Sequence, residues 1–323
     1  MTILTANYKG KIMKKIVSLL LVAIMGISLL AACGNDKPVT FEEKSGTMKT
    51  NVAYATTHES QVCDIYVPKR TTLVPVIVLV HGGGFLFGDQ GMDVIQPVIN
   101  KALAKGYAVV SIDYRKSKDA VFPAALADVK AAVRYVRSIA EEYDFDTNKI
   151  VIWGESAGAY LASMTALTPE VAELNGDVTD HSKYSSEVAA LVDFYGPIEF
   201  YTLQAEADSL GMKASFDTES SFESKFLGQA ISADKDATYK TYWETYKNSL
   251  PKNYELTAWV QVGNADARVP YTQSQNFADR LAGVIGEDNV KFGIIEGADH
   301  EDDLFYTSEN LDAVFAYLDV ALQ

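Results

Sequence analysis

The chain is poor in cysteine, histidine and basic residues. Only Cys33 and Cys63 stand among 323 residues, so no disulfide framework holds the fold and a buried core must do so. Four histidines (His58, His81, His181, His300) leave few candidates for a base near neutral pH. Lysine and arginine total 28 against 43 acidic residues, a formal net charge of −15. So acidic a surface repels phosphate backbones, which excludes nucleic acid as a natural partner. The one long apolar run, Ile16 to Leu30, falls short of the roughly 20 residues that span a bilayer. Internal repeats and low-complexity stretches are absent from the rest of the chain.

What the N-terminus does contain is an export signal. Lys14 and Lys15 precede the apolar run, and Leu30-Ala31-Ala32-Cys33 closes it. That order matches the basic and apolar regions of a signal peptide, and the closing tetrapeptide resembles the bacterial lipobox. The resemblance implies a diacylglyceryl group on Cys33, with Met13 as an alternative start. Two acyl chains suffice for stable anchoring, since one alone binds marginally. Residues 1–33 therefore read as a lipoprotein signal peptide, and the polar stretch 34–47 as a flexible tether. Cys63 alternates in phase with Ile65 and Val67, the pattern of an inert thiol on a buried strand face.

Residues 48–323 read as one catalytic domain. Val76 to Val80, Ala108 to Tyr114, Lys149 to Trp153, Val188 to Tyr195, Ala258 to Val262 and Phe292 to Ile295 are apolar, strand-like runs. Between them lie helical patterns: Val94, Ile95, Val98, Ile99 and Leu103; then Val129, Ala132, Val133, Val136 and Ile139 behind Pro123, which occupies a favoured first helical position. Strands apolar throughout and separated by amphipathic helices predict an α/β fold, a doubly wound, mostly parallel sheet with helices on both faces. From 197 to 256 the pattern breaks into a polar, aromatic stretch, a small cap insertion over the carboxyl edge of the sheet, where ligands bind in such folds.

Two glycine-rich motifs carry the chemistry. Gly154-Glu155-Ser156-Ala157-Gly158 is a G-x-S-x-G placed between strand and helix. There a serine sits on a sharp turn that a side chain at either flank would obstruct. His81-Gly82-Gly83-Gly84 follows a strand directly, where glycines let backbone N–H groups approach the oxygen that turns negative in acyl transfer. A dinucleotide fingerprint needs glycine at Phe87, and no lysine completes a P-loop. Asp144, Asp146, Asn148 and Glu155 mimic a calcium loop, but Lys149 stands at its required glycine. The acidic cluster around His300 reads as a solvated turn, so neither metal nor organic cofactor is expected.

Together with Asp113-Tyr114-Arg115 and Phe122-Pro123-Ala124-Ala125 with Asp128, these motifs resemble α/β-hydrolase esterases of the hormone-sensitive-lipase and feruloyl/acetyl-xylan-esterase (BD-FAE-like) type. The resemblance spans about residues 50–323. It implies backbone N–H groups of Gly83, Gly84 and Ala157 as the oxyanion hole, with His81 orienting that loop. Chain order in this fold is serine, acid, histidine. His58 and His81 precede Ser156, and His181 precedes the best acid, which leaves His300 as base. Asp266, in the loop after the strand Ala258 to Val262, is the first candidate acid; Asp193 is second, and Asp299 stands too close to His300 in sequence.

The expectation is a serine carboxylesterase acting through an acyl-enzyme. Phe85, Phe87, Tyr160 and Tyr195 are candidates to line its substrate pocket, and Phe200, Tyr201, Trp243 and Tyr246 could add to it from the insertion. The resemblance favours short-chain or aryl acyl groups, including esters on plant polysaccharide. A serine peptidase on the same fold and a non-catalytic binding lipoprotein are the rival readings.

Overall fold

The computed structural model describes residues 45–69 and 72–323. The expected signal peptide, lipidated Cys33 and most of the tether lie outside the described residues. Eight strands form the sheet: β1 (Ser45–Ala53), β2 (Val62–Pro68), β3 (Val74–Val80), β4 (Ala108–Ile112), β5 (Phe145–Glu155), β6 (Ala190–Phe194), β7 (Thr257–Gly263) and β8 (Val290–Ile295). Their order is β1-β2-β4-β3-β5-β6-β7-β8. β2 runs antiparallel to both β1 and β4, and every pairing from β4 to β8 is parallel.

Helices α1 (Gln96–Lys105), α2 (Ala124–Ser138), α3 (Ala140–Tyr143) and α4 (Ala157–Leu167) belong to the first half of the sheet. The insertion supplies α5 (Phe200–Ser209), α6 (Phe222–Leu227) and α7 (Lys235–Tyr239), and α8 (Tyr271–Ile285) and α9 (Ser308–Ala321) finish the chain. The strand period of two sorts the core into two layers. Val76, Val78 and Val80 of β3 join α2, α4 and α8 on one face; Ile77 and Leu79 join α1 and α9 on the other. Helix α4 is buried along its whole length, as its apolar circumference requires.

The predicted α/β class is therefore the observed one, with differences at element ends. Ser45 to Thr47, expected as tether, open β1 and pair with Val67 and Pro68 of β2. An edge strand needs only backbone partners and leaves polar side chains in water, so its composition resembles a linker. β5 starts four residues before the apolar run, at Phe145, because its polar entry is held by pairing of Phe145 with Val74. Pro123 caps α2 rather than occupying its first turn.

One topological feature places the site. From β3 the chain moves to β4 on one side, then returns to β5 on the other. Their carboxyl ends are in register, Val80 opposite Gly154, so β3 and β5 flank the reversal of strand order, where open α/β sheets leave a crevice.

Candidate active site

β5 ends at Glu155 and α4 begins at Ala157, which leaves Ser156 alone at the turn with φ 53° and ψ −121°. A non-glycine residue at positive φ is strained and held only by its surroundings. Here its N–H donates to the Phe194 carbonyl (2.9 Å), and its own carbonyl accepts from Ala159 and Tyr160. The flanking glycines are sterically required. A Cβ at Gly154 would stand 2.2 Å from the Gly158 oxygen, and one at Gly158 would stand 2.2 Å from that of Val80.

The other partners come from the loops after β7 and β8. Asp266 Oδ1 accepts from the N–H groups of Arg268 and Val269, both at 2.8 Å. This turns Oδ2 toward His300, whose Nδ1 lies 2.7 Å away. His300 Nε2 in turn lies 2.9 Å from Ser156 Oγ. The aspartate carboxylate is wholly buried and the imidazole nearly so. Asp299 clamps the two loops by accepting from Ala267 N–H (2.8 Å) and His300 N–H (2.7 Å). The Ala267 bond first, then the His300 one, hold its carboxyl below the usual range. Asp193, the second candidate acid, is buried and accepts from Ser163 Oγ and Gly196 N–H instead; it does not face His300.

Opposite the serine, the loop after β3 presents Gly83 and Gly84 to the same cavity as Ala157. Among the described residues, the N–H groups of these three donate to no loop or turn carbonyl. His81 steadies this loop from beneath, fully buried and stacked on Tyr114 at 4.6 Å. Its Nδ1 contacts the Gly82 carbonyl (2.6 Å) and its Nε2 Asp113 (3.0 Å). Burial lowers its pKa. Arg115 and Asp128, quoted in the family resemblance, form a buried ion pair further down, away from the chemistry.

The cavity over Ser156 and His300 has a volume of about 670 Å³. Phe85 and Phe87 line it as expected, the first buried and the second 64% exposed at the mouth. Tyr160 and Tyr195, also expected there, do not line it. Tyr160 is packed beneath between Phe200 and Phe226 with its hydroxyl donating to the Thr241 carbonyl. Tyr195 lies behind the imidazole, 4.7 Å from it, in contact with the Tyr306 hydroxyl. Tyr160 lies within the buried helix α4 and Tyr195 directly after the inner strand β6, and a large ring so placed fills core. Phe200, Trp243 and Tyr246 of the insertion are buried as well. The residues the sequence does not single out are Met92, Phe216, Phe222, Glu223, Arg268 and Glu301 of the cavity wall.

A buried carboxylate stands next to the nucleophile. Glu155 accepts from the Tyr306 hydroxyl at 2.7 Å, and burial pushes its pKa up to about 8. On the far strand, burial pushes the Cys63 thiol up to about 12, consistent with an inert sulfur. No cluster of three or more metal-ligating side chains is found among the described residues.

The BD-FAE family model matches residues 63–281. Esterase LipC of Mycobacterium tuberculosis is 26% identical over 252 residues, 76% of this chain and 58% of that protein. Carboxylesterase NlhH of the same species is 37% identical over 94 residues, 29% of each chain. The chain spans about half the length of the curated relatives it matches most broadly. Among solved structures, a truncated carbohydrate esterase from gut microbiota superposes with a TM-score of 0.76 at 25% identity, covering 88% of this chain and 99% of that one. The bifunctional GH43-CE of Bacteroides eggerthii gives 0.74 at 28% identity, covering 85% of this chain and 38% of that one.

Proposed function

Since the chain belongs to the BD-FAE family, we propose that it is a serine hydrolase that cleaves short-chain or aryl carboxylic esters, including esters carried on polysaccharide. The observation that carries this reading is the unbroken line from Asp266 through His300 to Ser156, at 2.7 and 2.9 Å. Likeness to a carbohydrate esterase from gut microbiota supports the polysaccharide side of it.

In this mechanism neutral His300 takes the Ser156 proton as Oγ adds to the ester carbonyl. Asp266 fixes the tautomer that leaves Nε2 free and stabilises the imidazolium that forms. The oxyanion meets the N–H groups of Gly83, Gly84 and Ala157, donors worth about 3–4 kcal/mol each in comparable sites. Collapse expels the alcohol with the proton from His300 and leaves an acyl-serine. Water, deprotonated by the same imidazole, then releases the acid.

The full chain is read as an extracytoplasmic, membrane-anchored lipoprotein held through lipid on Cys33. The support is the order of Lys14, Lys15, the apolar run and Leu30-Ala31-Ala32-Cys33.

Release of p-nitrophenol from its acetate and butyrate esters tests the activity, with peptide p-nitroanilides beside them. Ester turnover is expected, falling by about 10⁶ in Ser156→Ala as in comparable triads, and a fluorophosphonate should label the unsubstituted chain alone. Preferred cleavage of the anilides favours the peptidase reading. A folded chain that neither turns over nor labels is a binding lipoprotein.

A further inference from the structure

The cavity wall carries three charged side chains beyond His300, and they differ in one respect. Arg268 and Glu301 are exposed, so water satisfies them whatever the cavity holds. Glu223 is 5% exposed. Among the described residues no side chain is found donating to its carboxyl, which receives its own backbone N–H. A carboxyl so enclosed and so little compensated by the chain turns to the cavity it lines for a partner, water when the cavity is empty and a substrate group when it is filled.

The position of Glu223 is not adjustable. It is the second residue of α6, which Ser221 caps by accepting from Ser224 N–H at 3.1 Å. The helix is pinned to the oxyanion loop by aromatic contacts at both ends. Phe226 stacks on Phe85 at 4.2 Å, and Phe222 meets Phe87 edge-on at 6.3 Å. Phe226 also accepts at its carbonyl from Phe122 N–H (2.8 Å). The backbone that carries Glu223 is thus held in the wall of the cavity that opens on Ser156, with Phe216, Phe222 and Val269 supplying apolar surface nearby.

We propose that Glu223 hydrogen-bonds a hydroxyl group of the bound ester and so selects hydroxyl-bearing substrates over counterparts that lack it. The inference rests on the ester-hydrolase reading and adds a residue to it. A hydroxyl fits better than an ammonium group because it suits either protonation state, accepting from the acid or donating to the carboxylate, whereas an ammonium group can only donate. Burial holds this carboxyl at about 7, where both states are present. Sites built to bond a substrate hydroxyl reject analogues without it strongly, since the buried group is then left unpaired.

The hydroxyl has two chemical sources, the alcohol and the acyl side of the ester. A monoacetylated methyl xyloside against cyclohexyl acetate probes the first; methyl 4-hydroxycinnamate against methyl cinnamate probes the second. In Glu223→Leu and Glu223→Gln, kcat/KM on at least one hydroxyl-bearing ester is expected to fall, by about tenfold or more for the leucine variant. On its hydroxyl-free counterpart and on p-nitrophenyl acetate the change is expected to be much smaller, so that the ratio of kcat/KM within the responding pair falls. Whichever pair responds identifies the side that carries the hydroxyl. Equal loss on both members of each pair, or no loss on any, overturns the role of Glu223. In that case intact turnover of p-nitrophenyl acetate by the unsubstituted chain leaves the hydrolase reading standing. Absence of turnover on every ester overturns both.

Discussion

Ser156, Asp266 and His300 are each nameable from local pattern and chain order, because the elbow motif, the four-histidine inventory and the loop after a strand are written in short stretches. The neighbours that condition them are not. Asp299, set aside as a catalytic acid for its closeness to His300, braces the acid loop against the histidine loop. Glu155 reads as the variable position of a motif, yet it sits fully buried behind the serine. Its folded pKa of about 8 lies above the ordinary value of 4.5, so the folded chain keeps a proton that the unfolded chain gives up. Stability from this site is full below the unfolded value and is lost as pH rises toward the folded one. Glu155→Gln keeps the acceptor for Tyr306 and removes the titration. Its melting temperature relative to the unsubstituted chain should therefore climb between about pH 5 and pH 9. A difference that stays flat across that interval rules out the protonated carboxyl.

The elements show why glycine is tolerated at the nucleophile turn and little else is. α4 approaches β3 so closely that a methyl at position 158 would stand 2.2 Å from the Val80 oxygen and 2.4 Å from that of His81. Backbone atoms at the end of a central strand cannot step aside. Gly158→Ala is expected to cost about 2–3 kcal/mol, the upper part of the range for overpacking. It should also slow ester turnover, because the displaced strand end carries the oxyanion loop. Urea denaturation and turnover on one preparation check both, and an alanine variant as stable and active as the parent refutes the packing account. The same closeness explains the misplaced aromatics. Tyr160 lies on a helix buried all round and Tyr195 at the end of an inner strand, so their rings fill core. Phe85 and Phe87 lie on a loop and reach the cavity.

At the scale of the whole molecule, the sheet supplies geometry, and in the proposed function the N-terminal segment supplies an address. No helix among the described residues is long and apolar enough to cross a membrane. The proposed attachment is through lipid on Cys33. Expressed in a bacterial host with an alkynyl palmitate, the full chain should take up label and partition into detergent. Cys33→Ala should do neither while keeping its ester turnover; a labelled variant would exclude this cysteine as the acylation site. The class of the fold was legible because apolar periodicity is local: five parallel pairings and their helices follow from runs of a few residues each. The strand β1 was not, since an edge strand is held by backbone bonds that any polar sequence can make. By itself the sequence determined the inner strands, the helices α1, α2 and α4 and the motifs at their ends, for these depend on neighbours along the chain. Only the tertiary structure decided which side chains of the insertion face Ser156, Glu223 among them. That choice is made by packing between segments far apart in sequence, where no short-range period records it.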